Sequence, residues 1–321
     1  MMNLLTKDDW TSSRTWIDLE DVDVEAYLAR VSDRAGYDLK QKLYEWQNRG
    51  VVIFEGVVDK TLIDALLNDV EYLRRHHKDF DLLAEIKGDQ KEIASFTDDE
   101  LDSDGVKFNS IHSISRAAGR LSLTAAVTEF LGHIFGSPPC ALQSLTFYRG
   151  SQQPAHVDYP YVRCQTKLAH LAASWIPLED IHADAGPLAY FPGSHKLDVS
   201  GFFDWGDGSV VLEPESTKTP IEFSRYLEAR LKMADIRPEI FLPKKGDVLI
   251  WHGNLIHEGT MIKNPALTRK SYVTHFTSLT GYPLAHRRED GGGLSLNGGY
   301  AYDYPWLNES RKRLPSAISS N

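Results

Sequence analysis

The sequence of 321 residues predicts a mainly β protein with a helical N-terminal part, because its pattern changes once along the chain. Up to about residue 138, apolar residues recur at helical spacing between capping residues. From residue 139 onward, short apolar or alternating runs are separated by Gly, Pro, Asn and Asp, which is typical of a β-sandwich or barrel. No clean linker divides the two parts. We therefore expect one domain over residues 1–321, with 1–138 packed on a β core at 139–280.

The helical part contains three helical patterns and one strand pattern. The elements are, in order, a helix over 37–50, a strand over 51–58, a helix over 59–80 and a helix over 120–136. Gly50 and Gly136 are suitable helix ends because glycine readily adopts the left-handed conformation found there. Asp59 or Thr61 can cap the start of the second helix.

The β part consists of five short runs, followed by a tail that is hard to assign. The predicted strands lie at 141–150, 167–178, 186–194, 246–253 and 271–279. The segment 196–240 interrupts them and contains a helical pattern at 220–233. Loops of this length are uncommon unless they are functional, so we expect an insert or lid. Residues 281–321, rich in Gly and Tyr, form a C-terminal extension.

Composition limits the partners and the compartment. A formal net charge of −10 argues against nonspecific binding to nucleic acid or anionic membranes. No segment resembles a signal peptide, and no apolar run approaches the roughly 20 residues of a membrane span. Cys140 and Cys164 allow one disulfide, although two thiols in a chain of this length favour a reducing compartment. We expect a cytoplasmic protein that acts on a small molecule.

Three His-x-Asp pairs are candidates for metal binding, at 77–79, 156–158 and 182–184. Residues i and i+2 share one face of a strand but diverge on a helix. The pair at 77–79 lies at the end of a helical pattern, so a solvated helix end is expected there. The pair at 182–184 lies in a polar turn, where aspartate is common for structural reasons. His156 and Asp158 begin an extended stretch, and both side chains would face one interior.

Residues about a hundred positions later supply partners for His156 and Asp158. Two histidines, His252 and His257, flank a predicted turn, and Arg269 opens another strand. Two imidazoles and one carboxylate with open positions opposite are the ligand set of non-haem Fe(II) oxygenases. The open positions can take a 2-oxo acid and dioxygen. Arginine binds the far carboxylate of such an acid well, because it is permanently charged and bidentate.

These motifs resemble the phytanoyl-CoA dioxygenase family of Fe(II)/2-oxoglutarate-dependent oxygenases over about residues 45–280. The motifs are HVD at 156–158, SWIPLEDIHADAGPLAYFPGSHK at 174–196, GDVLIWHGNLIHEGT at 246–260 and the segment around Arg269. The resemblance implies a double-stranded β-helix, a jelly-roll or cupin-like barrel flanked by helices. It implies one catalytic domain that uses Fe(II), 2-oxoglutarate as co-substrate and O2. The chain departs from the family at Ala185, where Asn is frequent, and in the longer segment 196–240.

The resemblance also assigns roles. It implies that His156, Asp158 and His257 are the iron ligands, and it favours His257 over His252. Arg269 would bind the C5 carboxylate of 2-oxoglutarate, with Gln143 assisting. Four further candidates are expected to pack in turns or strands: His170, His195, Trp251 and His275. Of these, His170 and His275 are the two expected to face the cavity.

The implied reaction is oxidation of an unactivated C–H bond, with release of succinate and CO2. Because Asp158 keeps the carboxylate ligand, hydroxylation is expected, while desaturation, epoxidation and cyclisation remain open. Tyr159, Tyr161 and Arg163 are candidate substrate contacts, and the insert carries the aromatic side chains Phe202, Phe203 and Trp205. No basic cluster suits the phosphates of coenzyme A, which favours a small or secondary metabolite. The alternatives are an acyl-CoA hydroxylase, a non-catalytic jelly-roll binding protein, and a cupin-like isomerase or hydrolase.

Overall fold

The structure is a computed structural model. It describes residues 5–31, 36–164, 166–197, 202–206, 208–287, 292–304 and 312–316. In chain order the elements are α1 (Lys7–Ser12), α2 (Val24–Leu28), α3 (Leu39–Arg49), β1 (Val51–Phe54), α4 (Lys60–Arg75), β2 (Leu83–Ile86), β3 (Asp89–Glu92), α5 (Asp98–Leu101), β4 (Val106–Asn109), α6 (Arg116–Ser122), α7 (Ala125–Phe135), β5 (Pro139–Phe147), β6 (Ala172–Pro177), β7 (Leu188–Tyr190), α8 (Pro220–Met233), β8 (Glu239–Phe241), β9 (Val248–His252), β10 (His257–Gly259), β11 (Ser271–Ser278), β12 (Gly293–Leu296) and β13 (Gly299–Tyr302).

Two β-sheets form the centre of the protein. The large sheet has the order β1-β9-β6-β11-β5-β4-β2-β3, and the small sheet has the order β10-β7-β8. The named pairs are antiparallel, apart from a single parallel register position between β13 and β5. Apolar side chains from both sheets pack between them, including Trp175, Leu249 and Trp251 from the large sheet and Leu188 and Phe241 from the small one. This two-sheet arrangement is the jelly roll that the sequence predicts.

The helices cover the other face of the large sheet. Their apolar sides pack on the alternate residues of the same strands, for example on Ile250 of β9 and Tyr272 of β11. Trp46 of α3 and Phe130 of α7 meet edge to face, with ring centroids 5.6 Å apart. The cluster extends from Ile17 to Leu314, so the helices and the strands share one core. No helix among the described residues is long and apolar enough to cross a membrane.

The insert forms a third layer with its own apolar cluster. Helix α8 begins with a capping box at Thr219 and Glu222, and its buried face carries Phe223 and Leu227. The ring of Phe223 lies 5.2 Å from that of Phe203 and 5.1 Å from that of Trp205. Both Phe203 and Trp205 are buried, so these aromatic side chains pack the insert onto the barrel and are not exposed.

Several sequence expectations differ from the structure in detail. The helix predicted over 120–136 is two helices, α6 and α7, with a break at Leu123 and Thr124. The first 138 residues also supply the hairpin β2–β3 and strand β4, which extend the large sheet. These strands were missed because they are short and largely polar. The thiols of Cys140 and Cys164 are both free and buried, and burial raises the pKa of each to about 12.

Candidate metal centre and co-substrate pocket

Three side chains with metal-binding atoms meet between the two sheets. The ligand atoms of His156, Asp158 and His257 all lie within 4.8 Å of one another. His156 and His257 form a β-bridge in which each backbone amide donates to the other residue's carbonyl at 3.0 Å. The amide of Asp158 donates at 3.0 Å to the carbonyl of Gly253, in the turn that follows β9. The sequence predicts a strand at 156–158, but the structure has a single bridge followed by a turn that aims both side chains inward.

Backbone carbonyls fix the orientation of both imidazoles. Nδ1 of His156 lies 2.9 Å from the carbonyl oxygen of Pro154, and Nδ1 of His257 lies 3.0 Å from that of Leu255. Because a carbonyl oxygen can only accept, each Nδ1 must carry the proton. Each Nε2 then presents a lone pair, which is the form in which histidine binds a metal.

The charge states of the cluster also suit a cation. Burial lowers the pKa of His156 to about 3, so this ring is neutral at physiological pH. Burial opposes ionisation of Asp158, but the imidazoles of His257 and His275 outweigh it and hold the pKa of this carboxyl well below its usual range. Asp158 and His257 are buried and His156 is partly buried, and one carboxylate with two imidazoles that present Nε2 lone pairs forms a site that a divalent metal ion would complete.

The cluster opens into a cavity that also contains Arg269. The guanidinium lies over the rings of Phe147 and Trp175, 5.4 and 5.8 Å from their centroids. Its Nη1 donates to the carbonyl of Gly186 at 3.3 Å, and Nε has no hydrogen-bond partner among the described residues. Burial lowers the pKa of Arg269 to about 10, which leaves it charged. This cavity therefore holds a buried cation without a carboxylate partner.

Gln143 does not line this cavity, because the side chain of His275 lies between them. It sits on β5 opposite His275 of β11, and its Nε2 is 3.3 Å from Nδ1 of His275. His275 lines the cavity as expected, with Nε2 3.5 Å from Oδ2 of Asp158. His170 does not line it. Its ring stacks on Phe135, and its Nδ1 contacts Oγ of Ser278 at 2.9 Å.

The three candidate substrate residues point in different directions. The ring of Tyr161 lies 6.4 Å from that of His156 and is 38% exposed, so it stands beside the metal cluster at the surface. Tyr159 is buried and lines a second cavity between the barrel and the insert. Arg163 is paired with Glu213 at 2.8 Å and also contacts the carbonyl of Leu212, so it attaches the insert.

The competing histidines lie elsewhere. His77 is buried, with Nε2 3.0 Å from the carbonyl of Phe96, so the predicted solvated helix end is wrong for this ring. His182 and Asp184 form the expected exposed turn. His252 faces the opposite side of β9 from Trp251, and its Nε2 lies 3.3 Å from Oδ2 of Asp18.

Trp251 is the residue at this site that sequence reasoning assigned to packing. Its Nε1 donates to Oδ2 of Asp158 at 2.7 Å. The alternation of β9 places residue 251 on the inner face, and this could have been inferred from the strand pattern. The hydrogen-bond partner of Trp251 could not be inferred, because Asp158 reaches the indole from a turn 93 positions earlier in the chain.

Known structures share this architecture. EctD from S. alaskensis, solved with 2-oxoglutarate and 5-hydroxyectoine, matches with a TM-score of 0.54 at 16% identity, over 84% of this chain and 82% of that chain. SnoN, a non-haem α-ketoglutarate-dependent epimerase from nogalamycin biosynthesis, matches with a TM-score of 0.55 at 15% identity, over 82% and 97%. These matches show that the chain belongs to the jelly-roll fold class, with a His-Asp-His cluster between its two sheets.

Within this class, the chain belongs to the phytanoyl-CoA dioxygenase family, whose model matches residues 46–271. A phytanoyl-CoA dioxygenase domain-containing protein 1 homolog from Caenorhabditis elegans is 20% identical over 174 residues, which is 51% of this chain and 56% of the relative. The homolog from Caenorhabditis briggsae is 23% identical over 176 residues. The chain thus spans about half the length of the curated relatives it matches.

Proposed function

We propose that this protein is an Fe(II)- and 2-oxoglutarate-dependent oxygenase that oxidises a C–H bond of a small organic molecule. The observation that carries the proposal is the buried guanidinium of Arg269, which shares one cavity with His156, Asp158 and His257. A buried charge without a partner is strongly unfavourable, so the cavity is suited to an anionic ligand.

A 2-oxo dicarboxylic acid matches both ends of this cavity. One carboxylate and the adjacent ketone can chelate a metal ion, and the second carboxylate can pair with Arg269 through charge-assisted hydrogen bonds. Besides the polar side chains of Ser151, Gln153 and Glu258, the cavity walls carry the apolar or aromatic side chains of Phe147, Leu188 and Val273. They exclude water and strengthen the pairing with the guanidinium.

The residues of the site have distinct roles in this mechanism. His156, Asp158 and His257 would hold the iron through two Nε2 atoms and one carboxylate oxygen. The iron, with 2-oxoglutarate and O2, supplies the oxidising chemistry, with release of succinate and CO2. Arg269 orients the co-substrate, Gln143 acts indirectly by contacting His275, and the aromatic walls keep bulk water from the reacting atoms.

The substrate side is proposed to lie at Tyr161. This ring stands next to His156, and the insert packs against it through Trp205 at 6.0 Å and Phe223 at 6.5 Å between centroids. An aromatic rim of this kind favours a ligand with an apolar or aromatic portion. Hydroxylation is the proposed outcome because the carboxylate ligand is retained.

Binding of the co-substrate is the first test. Anaerobic titration of the Fe(II)-loaded protein with 2-oxoglutarate should give the visible charge-transfer band of the chelate. With Mn(II), 2-oxoglutarate should raise the melting temperature, and Arg269→Ala should abolish this rise. Arg149→Ala is the matched control, because Arg149 bonds the carbonyls of Pro265 and Leu267 and does not line the cavity.

Turnover is the second test. Succinate release would be measured with a panel of small apolar and aromatic substrates, and with acyl-CoA thioesters as a separate arm. No affinity for 2-oxoglutarate in wild type would refute the proposal and favour a non-catalytic binding protein. Turnover without O2 consumption would instead indicate an isomerase or hydrolase.

A further inference from the structure

The two carboxylate oxygens of Asp158 have different surroundings. Oδ1 lies 3.6 Å from Nε2 of His257, on the side where the ligand atoms converge. Oδ2 accepts the indole N–H of Trp251 at 2.7 Å and lies 3.5 Å from Nε2 of His275. Asp158 is buried, so water does not compete strongly for either oxygen. Hydrogen bonding therefore fixes the carboxylate through Oδ2, and Oδ1 is left facing the other ligand atoms.

Trp251 is well placed to hold the carboxylate. Its backbone lies between two strands, opposite Val51 on β1 and Ala173 on β6. Its ring packs against that of His257, with centroids 4.8 Å apart. The indole nitrogen is a donor only, so it can neither bind a metal nor compete with Asp158 for one.

His275 can provide a second hydrogen bond when its proton lies on Nε2. The amide nitrogen of Gln143 approaches Nδ1 of His275 at 3.3 Å, and this contact requires an unprotonated Nδ1. A neutral ring then carries its proton on Nε2, which faces the carboxylate. In the other tautomer a lone pair would face a negative charge. The contact with Gln143 thus selects the tautomer of His275 that supports Asp158.

We propose that Trp251, assisted by His275, is a positioning residue that turns Oδ1 of Asp158 toward the metal and keeps Oδ2 from binding it. The inference rests on the proposed function, since it concerns how the same site holds its metal. Its consequence is a one-oxygen ligand, which leaves more of the coordination sphere for the co-substrate and O2. Partners of this kind, outside the ligands themselves, typically change metal affinity about 10–100-fold when lost.

The test is Trp251→Phe, which keeps a buried ring and removes the donor. Mn(II) affinity would be measured by calorimetry, and the visible spectrum of bound Co(II) would report the coordination. We expect Mn(II) binding at least about 10-fold weaker and an altered Co(II) spectrum. Trp46→Phe is the matched control, because Trp46 is fully buried and its indole nitrogen has no partner in the described chain. It should bind Mn(II) within about 3-fold of wild type.

Wild-type Mn(II) affinity together with an unchanged Co(II) spectrum in Trp251→Phe would overturn the inference. Absence of Mn(II) binding in wild type is a different result, and it would refute the proposed function itself. If Trp251→Phe does not fold, the second donor decides the question. His275→Leu should then weaken Mn(II) binding and His275→Gln, which keeps an N–H donor, should restore it. Equal affinity in all three proteins would overturn the inference.

Discussion

His257 and His252 lie five positions apart, and their different surroundings separate their roles. His257 offers Nε2 to the cluster, whereas His252 directs Nε2 to the buried carboxylate of Asp18. The amide of Asn254 also donates to Nδ1 of His252, so both ring nitrogens of this residue are occupied. The contacts of His252 therefore indicate a structural role.

This difference predicts opposite phenotypes for the two alanine variants. His257→Ala should lower Mn(II) affinity by at least about 100-fold, because it removes a ligand, and should leave the metal-free fold nearly as stable. His252→Ala should bind Mn(II) like wild type but lose about 2 kcal/mol of unfolding free energy, because the carboxylate of Asp18 loses its contact with His252 and keeps that with Thr15. Calorimetry and urea unfolding measure the two effects. The reverse pattern would show that the ligand assignment is wrong.

At the residue scale, the sequence suffices for the residue types and their order but not for their contacts. The family resemblance singles out His156, Asp158, His257 and Arg269, and the structure brings all four into one cavity. The roles of these residues remain proposals. The hydrogen bond from Trp251 to Asp158 and the contact of Asp18 with His252 join distant parts of the chain. Local patterns contain no information about such pairs.

The junction between α3 and β1 depends on a glycine. Gly50 has φ 70°, and a Cβ built there would collide with the imidazole of His195. Gly50→Ala should therefore lower the unfolding free energy by about 2 kcal/mol or more, from the left-handed backbone and the clash together. Gly132→Ala is the control, since Gly132 lies inside α7 with nothing within 4 Å of an added Cβ. It should be neutral or stabilising in urea unfolding.

The insert should unfold locally when its apolar cluster is weakened. Phe223→Ala removes a fully buried ring of α8 that contacts the rings of Tyr161, Phe203 and Trp205. Such a change typically lowers the unfolding free energy by about 3–5 kcal/mol. Hydrogen exchange should accelerate in residues 220–233 while the barrel strands keep their protection. Ile221→Ala, at a side chain 51% exposed on the same helix, should leave exchange unchanged. Uniform acceleration across the barrel would contradict an independently packed insert.

At the element scale, strong periodicity and end signals gave good predictions. Asp59 caps α4 and Gly50 ends α3, as expected from the sequence. The break between α6 and α7 was missed because the apolar pattern runs through it without Gly or Pro. The segment 156–158 owes its conformation to pairing with His257 and Gly253, which local preference cannot reveal.

For the whole molecule, we expect stability to fall in mild acid. Burial lowers the pKa of His112 and His170 to about 4 and that of His195 to about 3. In the unfolded chain these histidines bind protons near pH 6.5. Protonation therefore does not favour unfolding above that pH, and the full stability is present there. It is lost as the pH falls from about 6.5 toward 4. Each group alone lowers the unfolding free energy by up to about 1.4 kcal/mol per pH unit.

Urea unfolding of the metal-free protein at pH 7.5 and 5.5 measures this effect. His170→Phe should reduce the loss between the two pH values, because this variant lacks one of the groups that protonate on unfolding. Equal unfolding free energies at both pH values would show that these rings are protonated in the folded protein as readily as in the unfolded chain.

The fold class was predictable at the scale of the whole molecule, but the strand order was not. Short strands with turns between them indicate two packed sheets, and two such sheets are present. Nothing local to VVIF at 51–54 indicates that it becomes the edge strand beside β9. Which strands pair depends on the competition among all of them, and no short window of sequence reports that competition.

The pairing of β1 with β9 has a consequence for how the chain folds during synthesis. Val51 pairs with Trp251, which is 200 residues later, so strand β1 has no partner when it leaves the ribosome. At about 5–20 residues per second, β9 follows after roughly 10–40 s. Helix α7 can cover Trp46 of α3 earlier, but throughout that interval the edge of β1 that pairs with β9 has no partner strand. Strand β9 also carries Trp251 and leads to His257, so the His-Asp-His cluster cannot form before this same late segment has been synthesised.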